Sequence, residues 1–342
     1  MYRVAVAKRS SRSRRVPLVV VLLLVFALAF EVRQMLPGES LVDSIDSLHT
    51  HAAGLSPQQA SGDAVGLRPF DDCGDMCPRL ASRRRQPRAL GPSDAVFAVD
   101  HLLNWHWCPS ARIRQRSLDG KVYSFLGAAR ARGALIVHAV SDSKNHYLLD
   151  PLVAPFVKRD SDAGTLELPA GLAHDWGWID RKQLNALAPP VSLSLDKVCG
   201  DEGAKLFGDN NRKPAGMPGL NHTRLVRGDV VATEQNAIYT AVKRHATPVQ
   251  RIFFVGVHLQ LCILYSRWFA MLRVAKAWGL NAELGIVVGL TDVSNTNLTD
   301  DYRLQTKVDV DTVHKTACWI RCKVAPAVLG GEVDDVITLY DF

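Results

Sequence analysis

Short apolar runs alternate with helical patterns along the second two thirds of the chain, and this alternation constrains the fold more than any other feature. "AVFAV" (95–99) and "ALIVHAV" (134–140) are continuous apolar strands of the kind buried on both faces. Between them "GKVYSFLGAARARG" (120–133) spaces its apolar residues as a helix and ends in glycine. "TEQNAIYTAVKRHA" (233–246) predicts a helix, 252–257 a strand, 262–278 a helix closed by Gly279, "AELGIVVG" (282–289) a strand, and 309–322 a further helix. Strand, helix, strand in succession implies parallel pairing through right-handed crossovers. The expectation is therefore a three-layer α/β/α domain on a doubly wound, mostly parallel, Rossmann-like sheet. Residues 150–228 are rich in Pro and Gly and take no assignment, and no internal repeat is present.

Three regions follow from composition. Residues 1–31 hold a basic tail (Arg3, Lys8, Arg9, Arg12, Arg14, Arg15) and the apolar run "VPLVVVLLLVFALAF". Fifteen apolar residues fall short of the ~20 that a full span usually needs and match a signal-peptide core. The basic tail favours a signal anchor with a cytoplasmic N-terminus, so the expected location is single-pass membrane or secreted, with membrane contact through residues 16–30. Residues 32–90 lack periodicity and predict a flexible stem. Residues 91–342 predict the main domain. The net charge of +7, less the six positives of the tail, leaves +1, which gives no basic field for nucleic acid.

Cys73 and Cys77 ("CGDMC") predict a small loop disulfide in an oxidising compartment, and one such pair by itself is a weak metal signal. Asn221 and Asn297 head Asn-x-Thr triplets, which accept glycans only in a eukaryotic secretory route.

In an open parallel sheet, ligands bind at the carboxyl ends of the strands. Asp100 follows the first of these strands and Cys262 follows the strand at 252–257, at the start of a helix. The first turn of a helix should lower a thiol pKa and present free backbone N–H groups to an oxyanion. Asp100 would then shuttle the proton. Against this stands the frequency with which buried cysteine is simply packed.

"AVFAVD", "ARGALIVHAVSDS" and "IFFVGVHLQLCIL" together resemble the isochorismatase-like cysteine hydrolases, over roughly residues 94–332. His106-Trp107-Cys108, Gly256-Val257-His258 and Leu290-Thr291-Asp292 add to the resemblance. It implies a doubly wound fold, Cys262 as nucleophile, Asp100 as general base, and a non-proline cis peptide between Val257 and His258. The family's third catalytic residue, a lysine, falls on Glu234 of "GDVVATEQN". A glutamate there would repel a thiolate, so His101, His106, His138 and His258 are the candidate replacement cations. The Asp-x-His triplet of zinc-binding members has no counterpart, so no metal and no cofactor are expected.

Three functions compete. One is hydrolysis of a C–N bond in a small-molecule amide, with residues near Glu234 and the 141–148 loop shaping the pocket. Another is a catalytically silent binding or scaffold module. The third is redox chemistry with Cys108 as the resolving partner of Cys262. A homo-oligomer is possible on the resemblance alone.

Overall fold

The computed structural model describes residues 66–70, 72–77, 88–102, 109–140, 151–158, 181–194, 225–232, 234–267, 270–278, 281–293, 309–329 and 337–342. The chain divides into Met1–Gly62 and Asp63–Phe342, and every described residue lies in the second unit. The apolar run at 16–30, the 141–148 loop, His106, Cys108, Asn221 and Asn297 fall outside the described residues. Among the described residues no helix is long and apolar enough to cross a membrane.

The fold is α/β, built on one mostly parallel sheet. Its strands are β1 (Gly66–Pro69), β2 (Arg88–Ala89), β3 (Asp94–Val99), β4 (Leu135–Ala139), β5 (Val157–Lys158), β6 (Val230–Ala232), β7 (Arg251–Gly256), β8 (Glu283–Thr291) and β9 (Ile337–Asp341). They lie in the order β2-β1-β9-β8-β7-β3-β4-β6-β5. From β9 to β5 every neighbouring pair is parallel. At the other edge β1 runs antiparallel to β9, and β2 antiparallel to β1. The helices are α1 (Pro109–Ala131), α2 (Arg181–Ala186), α3 (Gln235–Lys243), α4 (Met271–Ala277), α5 (Val310–Trp319) and α6 (Ala325–Leu329).

The continuous apolar composition of β3 follows from its position, since all six of its residues are buried. Ala95, Phe97 and Val99 join one core with Ile238 of α3, Leu272 of α4 and Ala317 of α5. Val96 and Ala98 face a second core with Leu118, Val122, Phe125 and Ala129 of α1, spaced as one helical stripe. Arg251 fixes the β3/β7 register from the amino ends. Its Nε and a terminal nitrogen donate to the two Asp94 carboxylate oxygens at 2.7 and 2.8 Å.

Several sequence expectations change. The stretch assigned to the stem supplies β1, a 3-10 turn at Gly74–Met76, and β2. Cys73 and Cys77 are not bonded to each other. Cys73 pairs with Cys318 and Cys77 with Cys322, at Cα separations of 5.4 and 5.6 Å. The sequence holds a second C-x3-C pair, Cys318 and Cys322, which attention to Cys73 and Cys77 alone overlooks. The single helix expected over 262–278 is broken into a π turn, Leu259–Ile263, and α4. A second π turn, Ile320–Val324, interrupts the C-terminal helix between α5 and α6.

Candidate active site

Starting from β3 the chain moves outward to β4 and β6, then returns in β7 on the opposite side of β3. The carboxyl ends of β3 and β7 therefore flank the point where strand order reverses, the place where open parallel sheets bind ligands.

Asp100 leaves β3 in the left-handed region, at φ 49°, which Asp tolerates better than most residues. Its N–H donates to the Ala139 carbonyl of β4 at 2.9 Å. On the neighbouring strand, Gly256 ends β7 at φ 105°. A Cβ there would overlap the Val99 carbonyl oxygen, so only glycine lets β7 come this close to β3. Val257 N–H donates to that same carbonyl at 3.1 Å. The Val257–His258 peptide is cis, at the bond the family resemblance singles out. The π turn then winds over the His258 carbonyl, which accepts from Leu261 N–H at 3.2 Å and Ile263 N–H at 3.0 Å, and Cys262 sits on that turn.

This geometry places the Cys262 thiol in hydrogen-bond contact with the Asp100 carboxyl and with the His258 backbone. The thiol is 1% exposed. Its pKa is pushed up to about 12, first by burial and also by the Asp100 carboxylate, while the charge of Arg267 pulls it down. The sequence expectation of a thiol ionised by its helix turn is thus corrected. Removal from water outweighs a turn that here is π-wound and short. The resting side chain is a neutral thiol facing a proton acceptor.

Among the described residues the cation that acts on the thiol is Arg267, buried and five residues beyond Cys262, rather than His101, His138 or His258. His101 turns toward α1, with Nε2 3.1 Å from an Asp119 carboxylate oxygen. His138 lies 3.1 Å from Asp229 on the β4/β6 side, where Arg130 also binds the same carboxylate. Glu234 immediately precedes α3 beyond the end of β6. Sequence reasoning missed Arg267 because only histidines were considered as replacement cations. Its signal was an Arg five residues after the cysteine in a mostly apolar stretch.

His258 itself belongs to a buried charge cluster behind the turn. Arg114 Nε of α1 donates to Asp292 Oδ2 at 2.7 Å, and His258 Nδ1 lies 3.4 Å from the same oxygen. The Asp292 backbone closes the arrangement, its carbonyl accepting from Leu259 N–H at 2.9 Å and its N–H donating to the Gly256 carbonyl at 3.2 Å. Burial would raise the Asp292 pKa. The positive charges of His258 and Arg114 and the hydrogen bonds both make outweigh it, and hold the carboxyl at about 2.

Tyr265, three residues past Cys262, donates through its hydroxyl to the Leu193 carbonyl at 3.2 Å. Leu193 also lines a cleft of about 340 Å³ together with Arg181, Asn185 and Ser192. The Tyr265 hydroxyl pKa is pushed up to about 12 by burial, opposed by Arg181 and reinforced by Cys262.

A scan against protein-family models finds no match for the chain, and a search of curated proteins finds none.

Proposed function

We propose that the protein is a cysteine hydrolase that cleaves a C–N bond in a small amide, on a three-layer, doubly wound fold like that of the isochorismatase-like enzymes. The observation that carries this reading is the hydrogen-bonded Cys262–Asp100 pair across the β3/β7 reversal point. As the thiol attacks the substrate carbonyl, Asp100 takes its proton, so no free thiolate accumulates beforehand. Backbone N–H groups of the Cys262 turn receive the oxyanion. Arg267, always charged and acting on the same sulfur, stabilises that oxyanion in the role the family gives to a lysine. Asp100 then returns the proton to the departing nitrogen, leaving an acyl thioester on Cys262 that water hydrolyses. Membrane tethering through residues 16–30, or export, completes the proposal. The bridged cysteine pairs favour an oxidising compartment.

Two observations favour the rival reading, a silent binding module: the unionised thiol and the glutamate at the lysine position. Ammonia release from a panel of small primary amides separates the two. The full chain should turn over at least one of them, Cys262→Ser none, and Asp100→Asn less by about 10²–10⁴-fold, the usual contribution of a positioned base. Equal background release from all three proteins would assign the fold to binding.

A further inference from the structure

The two bridges bring more than two pairs of sulfurs together. The sulfurs of Cys73, Cys77 and Cys322 all lie within 4.8 Å of one another, and Cys318 is bonded to Cys73. Both pairs have C-x3-C spacing: Cys73 and Cys77 flank the 3-10 turn at 74–76, and Cys318 and Cys322 straddle the junction of α5 with its π turn. The two bridges, with Cα separations of 5.4 and 5.6 Å, show that each segment presents two sulfurs to the other. Tetrahedral zinc with Zn–S near 2.3 Å sets its sulfur ligands about 3.8 Å apart, within the spread already present here.

We propose that, in the reduced chain, Cys73, Cys77, Cys318 and Cys322 form a structural tetrathiolate zinc site whose oxidised form is the two bridges. Converting one form to the other balances simply. A thiol reductant delivers four electrons and four protons to open both disulfides, and Zn²⁺ then displaces four thiol protons as it binds. Cys73, Cys77 and Cys318 are buried and Cys322 is half-buried, the enclosure of a structural site rather than an open catalytic one. A Zn(Cys)₄ centre carries two negative charges. Arg321, next to Cys322 in sequence, is buried and donates to the Phe70 carbonyl at 3.3 Å, which brings a positive charge to the β1 side of the bridges. Either form ties the β1 segment to the C-terminal helix, and the edge of the sheet stays attached whether the surroundings are oxidising or reducing. Cys262, the free cysteine among the described residues, takes no part.

The test uses the full chain, reduced with a phosphine under anaerobic conditions, freed of reductant and titrated with Co²⁺ as probe. Intense visible and sulfur-to-cobalt bands of a tetrahedral thiolate complex should saturate at one cobalt per chain and be bleached by Zn²⁺. The bands should be lost in Cys73→Ser and in Cys318→Ser and kept in Cys262→Ser, and the oxidised chain should show none. Alkylation of buried Cys262 serves as the fold monitor and should stay slow throughout. The proposal is overturned by reduced protein that binds no metal, by bands that survive in Cys73→Ser, or by binding seen only when Cys262 reacts as fast as in denaturant.

Discussion

Replacing Asp292 by Asn removes a carboxylate that Arg114 and His258 both depend on. Arg114 Nε loses its partner at 2.7 Å, His258 Nδ1 loses the oxygen 3.4 Å away, and all three side chains are 0–1% exposed. Held at about 2 against a reference value of 3.8, the carboxyl is a better acid folded than unfolded. At roughly 1.4 kcal/mol per pKa unit, this preference contributes on the order of 2–3 kcal/mol near neutral pH. Because the folded pKa is the lower one, that contribution is complete above about pH 4–5 and disappears as pH falls toward 2. The substitution also takes from the buried Arg114 guanidinium the carboxylate 2.7 Å away, so the expected loss near neutrality is about 3–5 kcal/mol. Urea unfolding of the full chain, followed by tryptophan fluorescence at a series of pH values, reads both quantities. Parent and Asp292→Asn should differ most at neutral pH and converge as the pH drops. A difference below about 1 kcal/mol at neutrality, or one that persists unchanged into acid, would refute the assignment of a functioning buried ion pair.

Other substitutions test neighbouring steps. Gly256→Ala forces a Cβ into the Val99 carbonyl at positive φ, and should destabilise the domain by several kcal/mol with loss of any amide turnover, measured by thermal melting beside the ammonia assay. Arg267→Gln removes the cation that opposes burial at Cys262, so Cys262 alkylation at a fixed alkaline pH should slow. Each bridge closes the same span of 245 residues, so one suffices to keep that loop closed. Cys77→Ala alone should lower the oxidised chain's stability slightly, and Cys73→Ala with Cys77→Ala by roughly 5 kcal/mol, the loop-entropy value for so long a span; urea unfolding of the oxidised proteins measures both.

The parallel sheet was legible because β3, β4, β7 and β8 are apolar on both faces, a pattern that strands acquire when helices cover both sides of the sheet. The placement of Asp100 and Cys262 at adjacent strand ends followed from the same alternation. β1 and β2 were not legible: four and two residues long at an edge, they carry no period that could separate them from a stem. β9 was missed for a different reason, since "ITLYD" is strand-like by composition but stands alone after the last helix. The break after Cys262 is likewise invisible to periodicity, because a π turn preserves apolar spacing locally while shifting the register that follows. The sign of the thiol shift depends on burial, which composition bounds poorly at a strand-to-helix junction. The link between Cys73 and Cys318 required recognising two C-x3-C pairs as partners across most of the chain.

The coupling between Cys262 and Asp100 is tested most directly by the pH dependence of Cys262 alkylation with a small thiol reagent, in the full chain and in Asp100→Asn, with Cys262→Ser as blank. Asp100 raises the thiol pKa and, in the proposed mechanism, accepts its proton. The parent should therefore react with an inflection well above the ordinary ~8.5 of a free thiol. Asp100→Asn should react at lower pH while losing amide turnover, so that reactivity and catalysis move in opposite directions. Superimposable profiles for the two proteins would show that the carboxyl does not act on the sulfur, and would contradict the dyad.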